Sequence, residues 1–393
     1  MKRLGCAILL VMLVMLAPGC GKRPVDQFEV RPEFALKVVE TGTFELDDDL
    51  DVSSLLTAVD RSLAYYEGAG RGLTFTMAGR RVGAAELRHA LVVFRDIITT
   101  EADPDQKKRQ IAKRFLLLRA AGRTGQGDVL FTGYYVPLLE GSFLPSEKYR
   151  YPLYKVPPDL VTQKISAHET KIGRNDNGRL IPYYTRKEID QDGVLRGKNL
   201  ELIWVSDAVD LFSLHIQGSG KILLENGRIL TVSTAQNNGW PYRSMPEDLQ
   251  NAIRRDQGHL SYLSVKTWLK RKSDADRNRI LSYYDRYNFF RFVDHDPIGG
   301  LGQPVTPDRT IATDPEFFPP GALAFIRLRK PVFDERLHII SYRTFSRFVL
   351  NQDEGAAIKG AGRVDLFCGV GPRAQAAAGS LKETGELYFL ILR

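Results

Sequence analysis

Two carboxylates stand out by their surroundings. Asp353 and Asp365 fall within Asn351–Pro372, a stretch reading NQDEGAAIKGAGRVDLFCGVGP, with Gly355, Gly360, Gly362, Gly369 and Gly371 spaced through it. Glycine permits positive φ and close backbone approach, so carboxylates in this company are predicted at fixed turns rather than on a helix face. Held in place, such groups could do acid–base chemistry. The alternative is that both are turn residues bonding their own backbone, and spacing alone leaves the two readings level.

Other reactive side chains offer less. Cys368 lies between Phe367 and Gly369 with no histidine near it in sequence; a thiol catalyst needs a partnering base, so a small buried residue is expected. The loop Gln217-Gly218-Ser219-Gly220 is followed by no helix with a phosphate-loop lysine, which removes the nucleotide reading. Asn237 to Ser244 (NNGWPYRS) reads either as a surface turn or as a sugar-binding loop, in which amides and arginine bond hydroxyls and aromatic faces cover a pyranose. The six histidines and the cysteines form no metal-ligand spacing, so neither metal nor cofactor is expected.

The elements that would position these groups follow from periodicity. At 393 residues, with 26% charged and 43% hydrophobic residues, the chain suits more than one globular domain. Lys2 and Arg3 precede an apolar run from Leu4 to Ala17, then Pro18, Gly19 and Cys20: a secretory leader over 1–19, too short to span a bilayer. Cys20 at that point resembles the lipidated first residue of a bacterial lipoprotein, and Gly21 after it points to the outer membrane, with the chain facing the periplasm. The leader takes Cys6 with it, and a lipidated Cys20 leaves Cys368 no disulfide partner. Net charge is +8, of which the leader carries two. A modest basic excess suits an anionic polymer or lipid headgroups, and nucleic acid is a poor candidate.

Lys22 to Asp51 reads as a tether and a leading strand. Three amphipathic helices follow: one carrying Leu55, Val59 and Leu63, one over Ala84–Thr100, and one from Pro104 with Ile111, Phe115 and Leu118 inward and a stop at Gly122. From Val129 the texture becomes β. Gly133 inside the first run marks a bulge or a place where ligand meets backbone, and Tyr134 and Tyr135 must face opposite ways. Strands are predicted over 200–205, 208–217, 221–224 and 228–232, with a hairpin at Asn226-Gly227. Helices are predicted over 249–271, with an inward stripe of Tyr262, Val265, Trp268 and Leu269, and over 274–287. Strands return over 289–296, 322–329, 338–350 and 387–392.

Several blocks resemble one family. Phe131-Thr132-Gly133-Tyr134-Tyr135 with Pro137, Leu214 to Gly220, Asn238 to Ser244, Gly299 to Gly302 with Arg309 to Asp314, and Gly355 to Gly360 through Asp365 are similar, in order, to the membrane-bound lytic murein transglycosylases of type A. The resemblance implies a mainly β protein with added helices (α+β): a double-psi β-barrel domain, residues 46–130 and 290–393, with a second β-barrel domain, 131–289, inserted. A groove between them would hold a peptidoglycan glycan strand, and residues 20–45 would tether the whole to the membrane. It implies Asp365 as catalytic acid and base, Asp353 and Asp314 in support, and substrate contacts among Thr132, Gly133, Tyr134, Tyr135, Gln217, Ser219, Asn238, Tyr242, Arg243 and Lys359. Val136 stands where the family often has glutamate, and Glu354 follows Asp353 where many members carry a small residue. The implied reaction cleaves the β-1,4 bond between N-acetylmuramic acid and N-acetylglucosamine and leaves a 1,6-anhydromuramoyl end. A two-carboxylate hydrolase and a non-catalytic murein-binding lipoprotein are the alternatives from other classes.

Overall fold

The C-terminal quarter shows first why the fold is a barrel. Leu323 to Ile326 are buried at consecutive positions, and so are Leu387 to Ile391. Strands that lose solvent from both faces need a sheet that is closed or covered. In the computed structural model, which describes residues 30–39, 45–166, 170–258, 262–355 and 357–393, both conditions hold. The leader, Cys20 and the tether up to residue 29 lie outside the described residues.

The first segment forms β1 (Leu36–Val39), α1 (Val52–Glu67), β2 (Thr74–Met77), β3 (Arg80–Gly83), α2 (Ala84–Thr100), α3 (Pro104–Arg114), β4 (Phe115–Ala120) and β5 (Val129–Val136). The predicted stripes hold in α1, which buries Leu55 and Val59, and in α2, which buries Leu87, Leu91, Phe94 and Ile98. The third helix is shorter than predicted. Phe115 and Leu118 belong to β4, which pairs with β1 and β19 (Lys382–Leu392). An FLLL run fits either period, and pairing between two waiting strands decided it.

The inserted segment forms β6 (Leu138–Ser142), β7 (Tyr151–Tyr154), β8 (Leu160–Lys164), β9 (Thr170–Asp176), β10 (Arg179–Ile181), α4 (Arg186–Asp190), β11 (Glu201–Val205), α5 (Ala208–Gln217), β12 (Ser219–Leu224), β13 (Ile229–Asn237), α6 (Glu247–Gln257), α7 (Tyr262–Lys270), α8 (Asp274–Leu281) and β14 (Asn288–Val293). Its main sheet runs β14-β13-β12-β6-β11-β7. The two end strands curl toward each other, with Phe289 and Tyr154 in one apolar cluster. The predicted hairpin is present, Gly227 taking φ +81° between the paired β12 and β13.

The predicted strand over 208–217 is a helix, α5. Asp207 caps it, its carboxylate accepting from the N–H groups of Val209 and Asp210, and Gly218 ends it at φ +80°. Six of the seven residues from Val209 to His215 are buried on it (Val209, then Leu211 to His215), so the nearly unbroken apolar run also fits a strand. The predicted helix over 249–271 is two helices, α6 capped by Gly258 at φ +76°, then α7. Trp268 and Leu269 face inward as expected, and the side chain of Tyr262 lies outside what is described. The helix expected to reach Tyr287 stops at Leu281.

The last segment forms β15 (Thr310–Ala312), β16 (Leu323–Phe333), β17 (Ile339–Asp353), β18 (Arg363–Val370), α9 (Gly371–Ser380) and β19. The sheet order is β1-β4-β19-β16-β17-β15-β18-β5, and β5 also pairs with β19, so the six strands from β19 to β5 close a barrel. β15 runs parallel to β17, and β18 parallel to β5. Parallel neighbours need long connections, and the inserted domain lies within the one between β5 and β18. The domain limits read at 130/131 and 289/290 fall inside β5 and β14: β5 is a barrel strand throughout and β14 belongs to the inserted sheet.

Asp47 to Asp51 is a latch rather than tether. Asp48 pairs with Arg309, Asp49 with Arg347 and Lys330, and Asp51 caps α1 by accepting from Ser54 N at 2.8 Å. Both arginines are buried, so this segment is fixed to the barrel wall next to β15.

Candidate active site

Register places the candidate residues in one row across the barrel. Ala312 of β15 pairs with Asp353 of β17 on one side and Asp365 of β18 on the other; Asp365 pairs with Thr132 of β5, and Thr132 with Lys382 of β19. Residues directly opposite on neighbouring strands present their side chains to one face. Asp353 and Asp365 are thus two strand spacings apart, roughly 9–10 Å between backbones. Neither is the turn residue expected. Asp365 sits inside a strand and Asp353 ends one, with the glycine-rich loop joining them.

The two carboxyls live differently. Asp365 accepts from Thr132 Oγ1 at 2.5 Å through Oδ1, and Oδ2 has no hydrogen-bond partner among the described residues. Desolvation pushes its carboxyl above the ordinary aspartate value. The Thr132 hydrogen bond and the Arg363 charge pull the other way, and the Asp353 charge adds a smaller upward push. Asp353 is held as an acceptor by three donors: Gly300 N at 2.7 Å, Glu354 N at 2.9 Å and Tyr134 Oη at 2.6 Å. A cavity of about 140 Å³ opens beside it, lined in part by Tyr65, Leu301, Pro315 and Glu354.

Asp314, only 3% exposed, staples two loops. Its carboxylate accepts from Gly360 N at 2.8 Å and Lys359 Nζ at 3.5 Å, and its backbone carbonyl receives Phe317 N and Phe318 N. It fixes a turn and the β17–β18 loop, while the Lys359 side chain remains mostly exposed.

Three residues predicted as substrate contacts have structural partners. Gly133 makes room for a helix: a Cβ there would lie 2.7 Å from Ala378 Cα and 2.8 Å from Cys368 Sγ, so the glycine admits α9. Tyr135 is buried against Ala374 and Ala378, while Tyr134 takes the other side of the strand and reaches Asp353. Asn238 is 1% exposed, donating to the carbonyls of Tyr184 and Asp285 and accepting from Tyr287 N, so its amide holds a loop. Cys368 is the small packed residue expected, its thiol pushed up by burial.

The remaining predicted contacts sit on the inserted domain, apart from the row. Gln217 ends α5, Ser219 pairs with Ser233, Tyr242 is 66% exposed, and Arg243 pairs with Asp285 at 3.0 Å. Sequence reasoning missed the supports beside Asp353. Asn351 Oδ1 accepts from Thr313 Oγ1, and the buried Gln352 amide donates to Ala58 O and Ser62 Oγ of α1. Polar residues in an otherwise apolar strand were the available signal. Among the described residues no group of His, Cys, Asp and Glu could hold a metal.

Tyr134→Phe tests the three-donor cradle. It removes one hydrogen bond to a charged acceptor while keeping the ring against Phe367. The expected loss is about 1.5–3 kcal/mol, read as a lower urea midpoint at neutral pH; an unchanged midpoint would show the contact to be idle.

Comparison with known proteins agrees with this architecture. Residues 130–291 match the MltA specific insert domain, and residues 309–391 match the 3D domain. The membrane-bound lytic murein transglycosylase A of Vibrio cholerae serotype O1 is 29% identical over 276 residues, 68% of this chain and 67% of that protein. The crystal structure of MltA from Neisseria gonorrhoeae superposes with a TM-score of 0.68 at 25% identity, covering 91% of both chains. A membrane-bound lytic murein transglycosylase from Agrobacterium tumefaciens gives 0.63 at 25% identity, covering 93% of this chain and 97% of that one. With both domains matched in order, and the aspartate-bearing barrel strands inside the second match, the chain carries an MltA specific insert domain and a 3D domain and is similar along most of its length to the membrane-bound lytic murein transglycosylases A.

Proposed function

We propose that this chain is a lytic transglycosylase that cleaves the β-1,4 bond between N-acetylmuramic acid and N-acetylglucosamine in peptidoglycan, with Asp365 as its single acid and base. One observation carries the reading: Asp365 is a desolvated carboxyl with raised proton affinity and one oxygen unengaged, beside an Asp353 held by three donors.

The protonated Asp365 Oδ2 gives its proton to the glycosidic oxygen as positive charge grows at C1. The resulting carboxylate then takes the proton of the muramoyl C6 hydroxyl, which attacks C1 and closes the 1,6-anhydro ring. Atoms balance without water. A well-oriented internal nucleophile reaches effective molarities of roughly 10⁵–10⁸ M, so a second carboxyl catalyst is not required. Ordinary inverting hydrolysis needs the second carboxylate free to activate water; the engagement of Asp353 by three donors argues against that role and favours electrostatic support of the developing cation.

Lipidation at Cys20 and an outer-membrane position facing the periplasm complete the proposal, supported by the sequence of the leader and by the membrane-bound relatives. The test is mass analysis of products released from purified sacculi. Anhydro-muropeptides, lighter by one water than the corresponding reducing-end species, are expected. Reducing-end products alone would replace this mechanism with hydrolysis, and binding without release would leave a murein-binding protein.

A further inference from the structure

The inserted domain holds a second cavity, about 320 Å³, in the size range of small-ligand sites. Tyr154, Trp204 and Phe212 give it aromatic walls, while Arg150, Arg196 and Asp190 bring charge to it. Arg186, on α4, also lines it although the residue is only 4% exposed. Its guanidinium lies against the rings of Phe212 and Tyr287, 5.1 and 4.9 Å from their centroids. Nη2 donates to Arg286 O at 2.9 Å, and Nη1 reaches Asp190 Oδ2 only at 3.4 Å. Nε is buried with no hydrogen-bond partner.

Five buried guanidinium nitrogens lack an acceptor among the described residues, and of those five arginines Arg186 is the one that lines this cavity. Here the unengaged Nε belongs to a planar fork of the kind that matches a carboxylate, on a residue that lines the cavity. The charges agree. Three arginines line the space against one aspartate; Arg196 makes no ion pair among the described residues, and Arg150 has only Asp274 at 3.9 Å. Asp190, with a third of its side chain exposed, stands where it can receive a cation close to a carboxylate bound on Arg186. The aromatic walls suit methyl and methylene groups.

We propose that this cavity binds the carboxylate end of a short peptide, with a neighbouring ammonium group directed to Asp190. Identifying that peptide with the stem peptide of the wall rests on the proposed function; the cavity chemistry itself does not. The site would let the inserted domain recognise peptide while the barrel acts on glycan.

Calorimetric titration of the folded chain tests this with three probes: D-alanyl-D-alanine, its C-terminal amide, and inorganic phosphate. The free dipeptide is expected to bind at one site per chain, the amide at least tenfold more weakly, and phosphate without displacing the dipeptide at equal concentration. Arg196→Ala, at an exposed position that should not threaten folding, is expected to weaken the dipeptide at least fivefold, whereas Asp365→Asn binds it unchanged. Equal binding of acid and amide, no binding of either, full displacement by phosphate, or indifference to Arg196→Ala each overturns the proposal. Because binding is read without turnover, its failure is separate from any failure of the catalytic mechanism.

Discussion

Asp365→Asn is expected to lower the release of anhydro-muropeptides from sacculi by about 10²–10⁴-fold, the range of a lost general acid–base group, while leaving binding to sacculi intact. The same variant should be more stable than the parent at neutral pH. Burial raises the folded-state affinity of Asp365 for its proton above the unfolded value, so the folded state holds the proton over the pH window between the two pKa values and the unfolded state does not. Stability therefore falls as pH climbs from the unfolded pKa through the folded one, and the penalty is complete above it; asparagine cannot ionise and escapes it. The thermal midpoint of Asp365→Asn is expected above the parent at pH 7, with the gap closing below pH ~3.9, the value of a free aspartate. Activity follows the same group: with Asp365 needed protonated, kcat/KM should fall as pH rises through its raised pKa. A variant with activity within tenfold of the parent would remove Asp365 from the mechanism, and one less stable at neutral pH would mean that its hydrogen bond to Thr132 outweighs desolvation.

How far these properties were legible in the sequence differs from residue to residue. The helices α1 and α2 were readable because each buries one stripe and leaves the other face wet, which stamps a 3.6-residue period on the sequence. For α5, six of whose ten residues are buried in a nearly unbroken run, the apolar pattern fits a strand as well as a helix, and the Asp207 cap and Gly218 were the signals that mark it. The aspartates were noticed for a reason that the structure corrects. Their glycines fall in the loop between β17 and β18, near the end of β18 and at the start of α9, while the carboxyls stand on strands whose shared face depends on β15, some forty residues upstream of Asp353. No local pattern encodes that row, since register between distant strands is a tertiary outcome. Family resemblance brought Asp365 and Asp353 forward, but it could not separate Tyr134, which reaches Asp353, from Tyr135, which packs under α9. Nor could it show that the Asn238 amide is occupied by the backbone.

The acidic run Asp47–Asp51 leads to the other large effect. Arg309 is fully buried and donates from Nη1 to Asp48 Oδ2 at 2.6 Å and Phe348 O at 2.8 Å, from Nη2 to Asp51 O at 2.9 Å, and from Nε to Ser54 Oγ at 3.1 Å. Truncating one partner of a buried, hydrogen-bonded pair strands the other charge, so Arg309→Met is expected to cost about 3–5 kcal/mol, seen as a lower urea midpoint. The surface pair Arg88–Glu67 at 2.6 Å, 44% and 58% exposed, provides the contrast: Arg88→Met should change stability by ~0–1 kcal/mol. The consequence reaches the active site through the backbone. Arg309 O accepts from Leu350 N at 2.7 Å and the next residue begins β15, the strand that separates Asp353 from Asp365. Loosening the latch should therefore reduce activity on sacculi well below the midpoint of unfolding. Replacing Asp48 with leucine in the Arg309→Met background should recover part of the stability, because no unpaired charge is then left behind. An Arg309→Met protein with the parent's midpoint would show that the N-terminal segment is held by its apolar contacts alone.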